Sequence, residues 1–319
     1  MMGSYERVRR GATEVVTEEE LREVMKGRPR VYCGYEPSGR IHCGHALTAF
    51  KLLDFQREGA EVIVLLADLH AYLNHKGTLE EVRRMAEYNR ECFVGMGLDP
   101  AVTEYRLGSE FQLTREYMMD VLRLSTETTL LRARRAMAEI ARKEEDPDVA
   151  QVLYPLMQAV DMVHLRVEVA VGGEDQRKVH MIAREKLGGL GYRKPVCVHL
   201  PLLHGLDGDA KMSSSKGNFI AVDDSPEEIR RKIRKAFCPP RQVEGNPVVE
   251  YAEHLLLPRL EGLEVRRSER HGGTILLREA EELRRRYKEG ELHPADLKPA
   301  VAEGLIELFR PVREHLGRE

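Results

Sequence analysis

Two short constellations in this chain carry residue types suited to phosphate chemistry. The first is His42-Cys43-Gly44-His45. Imidazoles three residues apart project to the same side of a helix, and at a helix N-terminus the unpaired N–H groups and the dipole already favour phosphate. Gly44 removes a side chain between them and lets a flat ring or a backbone approach closely. The same residue types also suit two partly buried structural histidines, or a metal site on His42, Cys43 and His45, although no further Cys or His lies nearby at ligand spacing. The second constellation is Lys211-Met212-Ser213-Ser214-Ser215-Lys216, preceded by Gly205-Leu206-Asp207-Gly208-Asp209 and followed by Gly217-Asn218. Two lysines separated by small hydroxyl residues can wrap a polyphosphate, the ammonium groups neutralising developing charge while Ser and backbone donors bind oxygens. A solvated surface loop has the same composition.

The elements that must position these residues alternate. Residues 30–35 read as a strand closed by Glu36-Pro37-Ser38-Gly39, residues 45–57 have helical apolar spacing, and residues 61–66 read as a strand buried on both faces. That βαβ unit implies a parallel sheet. A helix over 79–96, a strand over 103–107, helices over 113–127 and 128–142, a strand over 167–171 before Gly172-Gly173, a helix over 176–186 and a strand over 196–200 continue the theme. Ser225-Pro226-Glu227-Glu228 is a helix start with Ser as cap and Pro at the first position, and amphipathic runs follow at 246–257, 275–289 and 294–316. The expectation is an α/β protein: a Rossmann-like parallel-sheet catalytic domain over 1–220 with a helical connective insertion at about 113–145, then a smaller, mostly helical domain over 221–319.

Composition bounds the function. A chain of 319 residues has material for about two domains. Hydrophobic residues at 42% and charged residues at 32% describe a globular protein with a heavily charged surface and exclude a disordered or collagen-like one. Lys+Arg of 50 against Asp+Glu of 53 gives a net charge of -3, so a nucleic acid would need a local basic patch. The five cysteines, Cys33, Cys43, Cys92, Cys197 and Cys238, contain no C-x-x-C pair and fit reduced thiols in a cytoplasmic protein. No apolar run reaches the roughly 18 residues of a membrane span, and the N-terminal stretch lacks a signal-peptide core.

With both signatures in view, the chain resembles the class I aminoacyl-tRNA synthetases. Its first motif is similar to their HIGH-type signature, with Cys43 where Ile is common. Its second is similar to the KMSKS-type signature, with Ser214 where Lys is usual and Lys216 following. Within that class it resembles the tyrosyl-tRNA synthetases of archaeal type over nearly its whole length. The resemblance is carried by Gly34-Tyr35-Glu36-Pro37-Ser38-Gly39, by residues 65–74 (LLADLHAYLN), by Gly172-Gly173-Glu174-Asp175-Gln176-Arg177-Lys178 and by residues 211–224. A tryptophan-specific relative shares fold and signatures, and a non-catalytic RNA- or nucleotide-binding paralogue is a further alternative.

What the resemblance implies is attachment of L-tyrosine to tRNA(Tyr) through a tyrosyl-adenylate, with ATP as substrate accompanied by Mg2+ and no resident metal. It implies that Tyr32 and Asp161 face the substrate hydroxyl, that Tyr154, Gln158 and Gln176 orient its ammonium end, and that Gly34, Leu65, Ala67 and His70 shape the walls. On residue type alone Asp161 could equally be a solvent-facing helix carboxylate and Tyr32 a core aromatic. Tyr154, Gln158 and Asp161 recur at helical spacing, so one helix can present them together. His42, His45, Lys211 and Lys216 are implied to be catalytic, with Gly44, Asp207, Met212, Ser213 and Ser214 joining them around ATP. Arg132 and Arg177 are implied at the tRNA acceptor end and His293 and Asp296 at the anticodon, with His271 where relatives commonly carry an aromatic. The arginine run 132–142 is equally compatible with a solvated face pairing with Glu139, Glu144 and Glu145. Family membership also implies a homodimer built on the middle helices.

Overall fold

The computed structural model describes residues 3–138, 140, 148–209, 212 and 217–318. The chain divides into two compact units, one of residues 1–39, 48–90 and 97–201, the other of residues 40–47, 91–96 and 202–319.

The first unit is built on six strands: β1 (Glu14–Val16), β2 (Arg30–Tyr35), β3 (Glu61–Leu66), β4 (Thr103–Leu107), β5 (Val169–Gly173) and β6 (Val196–Leu200), in the order β1-β6-β5-β2-β3-β4. Strands β2 to β6 pair in parallel, with Tyr32 opposite both Ile63 of β3 and Ala170 of β5. β3 is apolar from Val62 to Leu66, and β6 is buried along its whole length with His199 its one imidazole, as strands covered on both faces are. The edge strand β4 carries Glu104 and Arg106, which blunt it against further pairing.

The parallel sheet expected from the sequence is present with one addition. β1 pairs antiparallel to β6, Val15 opposite Val198, and three residues are too few to leave a periodic signal. Two boundaries also move. The strand expected over 167–171 is Val169–Gly173, because Val167 still donates its N–H to Met162 and finishes the preceding helix. In the second unit, residues 275–277 are not helical. Ile275–Leu277 (β8) pairs antiparallel with Leu263–Val265 (β7), reversing through Gly272 and Gly273 at φ 89° and 69°, and the helix begins only at Ala280.

Around that hairpin the second unit is helical: Pro226–Lys235, Pro247–Tyr251 continuing into a π-turn at Ala252–Leu256, Ala280–Glu289 and the long Pro294–His315. Ser225 caps the first of these through Glu228 N–H, as its sequence predicts. Helix Pro294–His315 packs so closely on residues 91–96 that a Cβ on Gly95 would sit 2.8 Å from the Val312 backbone. Gly95→Ala should therefore destabilise the protein by about 1–3 kcal/mol, since backbone cannot yield as a side-chain end does. Gly188→Ala, where a Cβ meets nothing within 4 Å, should change stability by less than about 0.5 kcal/mol. Denaturant unfolding of the two variants beside the parent checks this.

Candidate active site

In the first unit the chain runs outward from β2 to β3 and β4 on one side, and β5 and β6 lie on the other. The carboxyl ends of β2 and β5 thus flank the switch point at which open α/β sheets bind ligands. Tyr32 and Gly34 come from β2, Leu65 from β3, and Ala67 and His70 from the turn and helix after it (Asp68–Leu73). Tyr154, Gln158 and Asp161 come from helix Val149–His164, and Gln176 from the single 3-10 turn after β5. Asp148 caps that helix in a reciprocal box with Gln151, which sets its start and hence which of its residues face the sheet.

Asp161 is fully buried. Its Oδ1 accepts from Tyr117 Oη at 2.8 Å and Gln112 Nε2 at 2.7 Å, while its Oδ2 has no hydrogen-bond partner among the described residues. Burial pushes its pKa up to about 7, the two hydrogen bonds opposing. His70 is buried too, its pKa driven down to about 4 by desolvation, so the ring is neutral. Gln112 Nε2 lies 3.2 Å from His70 Nδ1, which must accept from the amide and leaves the ring proton on Nε2. That Nε2 also lacks a partner among the described residues, and it stands 3.7 Å from Asp161 Oδ2. The gap is too long for a direct bond, and a hydroxyl placed between the two can accept from His70 and donate to Asp161.

The rest of the pocket is consistent with a flat polar-tipped ligand. Burial, then the Asp161 charge, push the Tyr32 phenol well up, so it stays neutral and hydrogen-bonds to Gln158. A Cβ on Gly34 would lie 2.9 Å from that phenol oxygen, so glycine is what lets the hydroxyl sit there. Gln158 Nε2 donates to Gln176 Oε1 at 3.1 Å, leaving Gln158 Oε1 buried and unpartnered among the described residues. Tyr154 packs edge-on to His70, ring centroids 4.5 Å apart, and its hydroxyl bonds to Glu36, whose carboxylate also accepts from Asn74 at 3.0 and 3.2 Å. Gln112, Tyr117 and Glu36 were missed as site residues. Tyr117 reads from sequence as one more apolar helix position, and only Glu36, in the Glu-Pro-Ser-Gly turn, carried a local signal.

In the second unit His42-Cys43-Gly44-His45 opens helix Cys43–Arg57, as its spacing predicts. His42 N–H donates to His45 Nδ1 at 3.3 Å and Gly44 N–H to His42 Nδ1 at 3.1 Å. Both rings are neutral: desolvation and the neighbouring His45 hold His42 well below its usual range, and desolvation takes His45 to about 4. With each Nδ1 accepting, each ring carries its proton on Nε2. The rings stack at 3.9 Å, and a Cβ on Gly44 would lie 3.0 Å from His42 Cε1 and 3.9 Å from Met212 Sδ. The helix tip is stitched to residues 220–222: Cys43 N–H donates to Ile220 O at 3.0 Å and Val222 N–H to Ile41 O at 2.9 Å. Arg40 binds the buried carboxylates of Asp223, at 2.5 Å, and Asp224, at 2.9 Å. The two signatures are thus brought together at Met212 and at the strand-like pairing beyond it. Lys211, Ser213, Ser214 and Lys216 lie outside the described residues. Asp207 is engaged by Asn218 Nδ2 at 2.9 and 3.1 Å.

The remaining candidates are dispersed. Arg132 pairs with Glu185 at 2.7 Å, Arg177 with Glu14, His293 caps helix Pro294–His315 by accepting from Ala295 N–H, and Asp296 lies in that helix's first turn. Glu139, Glu144 and Glu145, offered as partners for the arginine run, lie outside the described residues. Among the described residues no three His, Cys, Asp or Glu groups form a metal-ligand set, and no helix is long and apolar enough to cross a membrane.

The family model of class I tRNA synthetases (W and Y) matches residues 25–310. The chain is 57% identical over 309 residues to the tyrosine--tRNA ligase of Methanopyrus kandleri, covering 96% of this chain and 95% of that one. It is 55% identical over 312 residues to the tyrosine--tRNA ligase of Archaeoglobus fulgidus, covering 97% and 96%. A crystal structure of the tyrosyl-tRNA synthetase complexed with L-tyrosine from Archaeoglobus fulgidus superposes with a TM-score of 0.95 at 53% identity, over 98% of this chain and 99% of that one. The signatures, the switch-point pocket and matches that run nearly end to end agree with the resemblance read from the motifs, and the chain belongs to the class I tRNA synthetases (W and Y).

Proposed function

We propose that this chain attaches L-tyrosine to tRNA(Tyr) in two steps. The carboxylate of tyrosine attacks the α-phosphorus of ATP, forming the acyl–phosphate bond as the bond to pyrophosphate breaks. A hydroxyl of the terminal adenosine of the tRNA then displaces AMP from the carbonyl. The observation that carries the reading is the pair of unpartnered buried atoms, His70 Nε2 and Asp161 Oδ2, spaced to take one hydroxyl. A tyrosine phenol satisfies both, and phenylalanine leaves both bare, each at a desolvation cost of about 1–3 kcal/mol. Tyr32 adds a third polar group at that end, while Tyr154, Gln158 and Gln176 suit the ammonium, Gln158 with a buried Oε1 that has no partner among the described residues.

No general base is needed in the first step, because the nucleophile is already ionised. The work is positioning and stabilisation of charge on phosphate oxygens. Neutral His42 and His45 would supply Nε2–H donors there, beside a Gly44 and Met212 surface for the adenine, with Lys211 and Lys216 on the pyrophosphate and Asp207, Ser213 and Ser214 nearby. Mg2+ would enter on the phosphates of ATP rather than in a protein cage. Arg132 and Arg177 would meet the acceptor end of the tRNA, His293 and Asp296 its anticodon, and the reaction belongs in the cytoplasm. Met118, Met119 and Leu122 on helix Arg115–Glu127, with Leu130 and Leu131 after it, leave an exposed apolar face that supports a homodimer.

ATP–pyrophosphate exchange with each amino acid tests the reading. Tyrosine should drive exchange, and tryptophan driving it instead would sink the proposal. Asp161→Ala should reduce discrimination between tyrosine and phenylalanine by about 10- to 100-fold, the size of one lost charge-assisted hydrogen bond. A pH signature follows from the same carboxyl. Its folded pKa is raised from 3.8 to about 7, so the folded state keeps a proton that the unfolded chain has released. Its contribution to stability is therefore lost progressively as pH rises from about 4 to 7. Thermal melts of Asp161→Asn should show the variant gaining on the parent across that window, and parallel curves would contradict the assignment. Leu122→Glu should convert the dimer to monomer in analytical ultracentrifugation, with Leu122 53% exposed in the single chain.

A further inference from the structure

Strand β1, which the sequence did not reveal, delivers one side chain into a chain of polar contacts that the reaction described above does not use. Glu14, on β1, receives Arg177 in a two-pronged pair, Nε to Oε2 at 2.7 Å and Nη2 to Oε1 at 2.8 Å. The same Oε2 lies 2.9 Å from His199 Nδ1, and His199 Nε2 lies 3.0 Å from His180 Nδ1. The protons in this row are determined by what each end can do. A carboxylate ion only accepts, so His199 Nδ1 carries a hydrogen. Desolvation keeps His199 neutral, so its Nε2 must accept, and the hydrogen there comes from His180 Nδ1. Both imidazoles are buried, from strand β6 and helix Arg177–Lys186, whereas the Glu14–Arg177 pair stands at the surface.

An exposed ion pair is ordinarily worth little, because two long side chains lose rotamer freedom to hold it. Here one partner has been fixed in advance. Glu14 is a carboxylate on a sheet strand, held from behind by a ring that is itself held, and a guanidinium bound along its Nε/Nη2 edge has its plane set. Arg177 is the first residue of its helix and follows Gln176 directly, and Gly172 lies beneath both Gln176 and His180, where a Cβ would come within 3.0 and 3.1 Å of them. The row therefore fixes the direction in which Arg177 leaves the strand-end turn.

We infer that Glu14, backed by His199 and His180, is a positioning residue that orients the Arg177 guanidinium for the acceptor end of the tRNA. The inference rests on the proposed tRNA role of Arg177, and its partner is the RNA end: phosphate or base-edge acceptors, which a guanidinium of fixed plane selects by direction. Glu14 acts only through Arg177 and only on the binding of tRNA.

The test is steady-state aminoacylation with varied tRNA(Tyr), alongside tyrosine-dependent ATP–pyrophosphate exchange in the absence of tRNA. Glu14→Gln and Glu14→Ala should raise KM for tRNA by about tenfold or more, the size of one charge-assisted hydrogen bond, with kcat little changed. Exchange by the Glu14 variants should match the parent, which also reports that their first unit is intact. Arg177→Ala should raise the same KM, and the double variant Glu14→Ala/Arg177→Ala should be no worse than Arg177→Ala alone. Unchanged KM in both Glu14 variants, with Arg177→Ala impaired, would overturn the positioning role while leaving the tRNA reading of Arg177 in place. Normal KM in Arg177→Ala would overturn that reading itself, and the inference with it. A lowered KM in Glu14→Gln, the mark of a carboxylate that obstructs the RNA, or additive losses in the double variant would also overturn the inference.

Discussion

The constraint on which the first unit turns is a buried carboxyl that the protein satisfies on one side only. Asp161 Oδ1 is saturated by Tyr117 and Gln112, and Oδ2 is left facing His70 Nε2 across 3.7 Å. A fold selected for stability alone would close that gap, since each bare polar group in a dry interior is costly and an apolar pair of similar volume would be more stable. The gap persists because helix Val149–His164 is anchored at its start by a capping box and along its length by the sheet, while Gln112 holds both His70 and Asp161 by one amide nitrogen. Specificity for a ring with a polar tip is in that sense stored as unmet hydrogen bonding.

The imidazole pair of the second unit follows a different logic. Helix tips attract anions, and charged histidines would seem the obvious reinforcement. The rings are instead desolvated, stacked and neutral, each accepting a backbone N–H at Nδ1. Neutral N–H donors of fixed direction favour an oxygen whose charge grows during reaction without binding the ground-state triphosphate so tightly that its release suffers. Gly44 makes the stack possible, and the pairing of residues 41–43 with 220–222 holds the tip against the segment that follows the lysine-bearing loop.

Much of this was legible beforehand, for identifiable reasons. Strands β2, β3, β4 and β6 were readable to the residue, β3 most directly because a parallel strand covered on both faces leaves an apolar run bounded by turn residues, and the Ser225 cap because capping chemistry is local. Most pocket residues were named through whole-chain resemblance, not spacing: alone, Asp161 could have been a solvated helix carboxylate and Tyr32 a core aromatic. β1 and the β7–β8 hairpin escaped because three-residue strands carry less than two periods of any pattern, and residues 275–277 continue an apolar spacing that a helix would also produce.

The amino-acid sequence by itself therefore determined the order of most elements, the two signature motifs and the family, since these depend on contacts between near neighbours or on motifs read together along nearly the whole chain. Tertiary structure decided which polar atoms are left without a partner among the described residues, which protonation state the buried rings adopt, and which distant residues meet: Gln112 and Tyr117 on Asp161, and Glu14 on Arg177. Those properties are set by desolvation and by hydrogen-bond competition among groups dozens to more than a hundred residues apart, and a linear chain carries no local record of either.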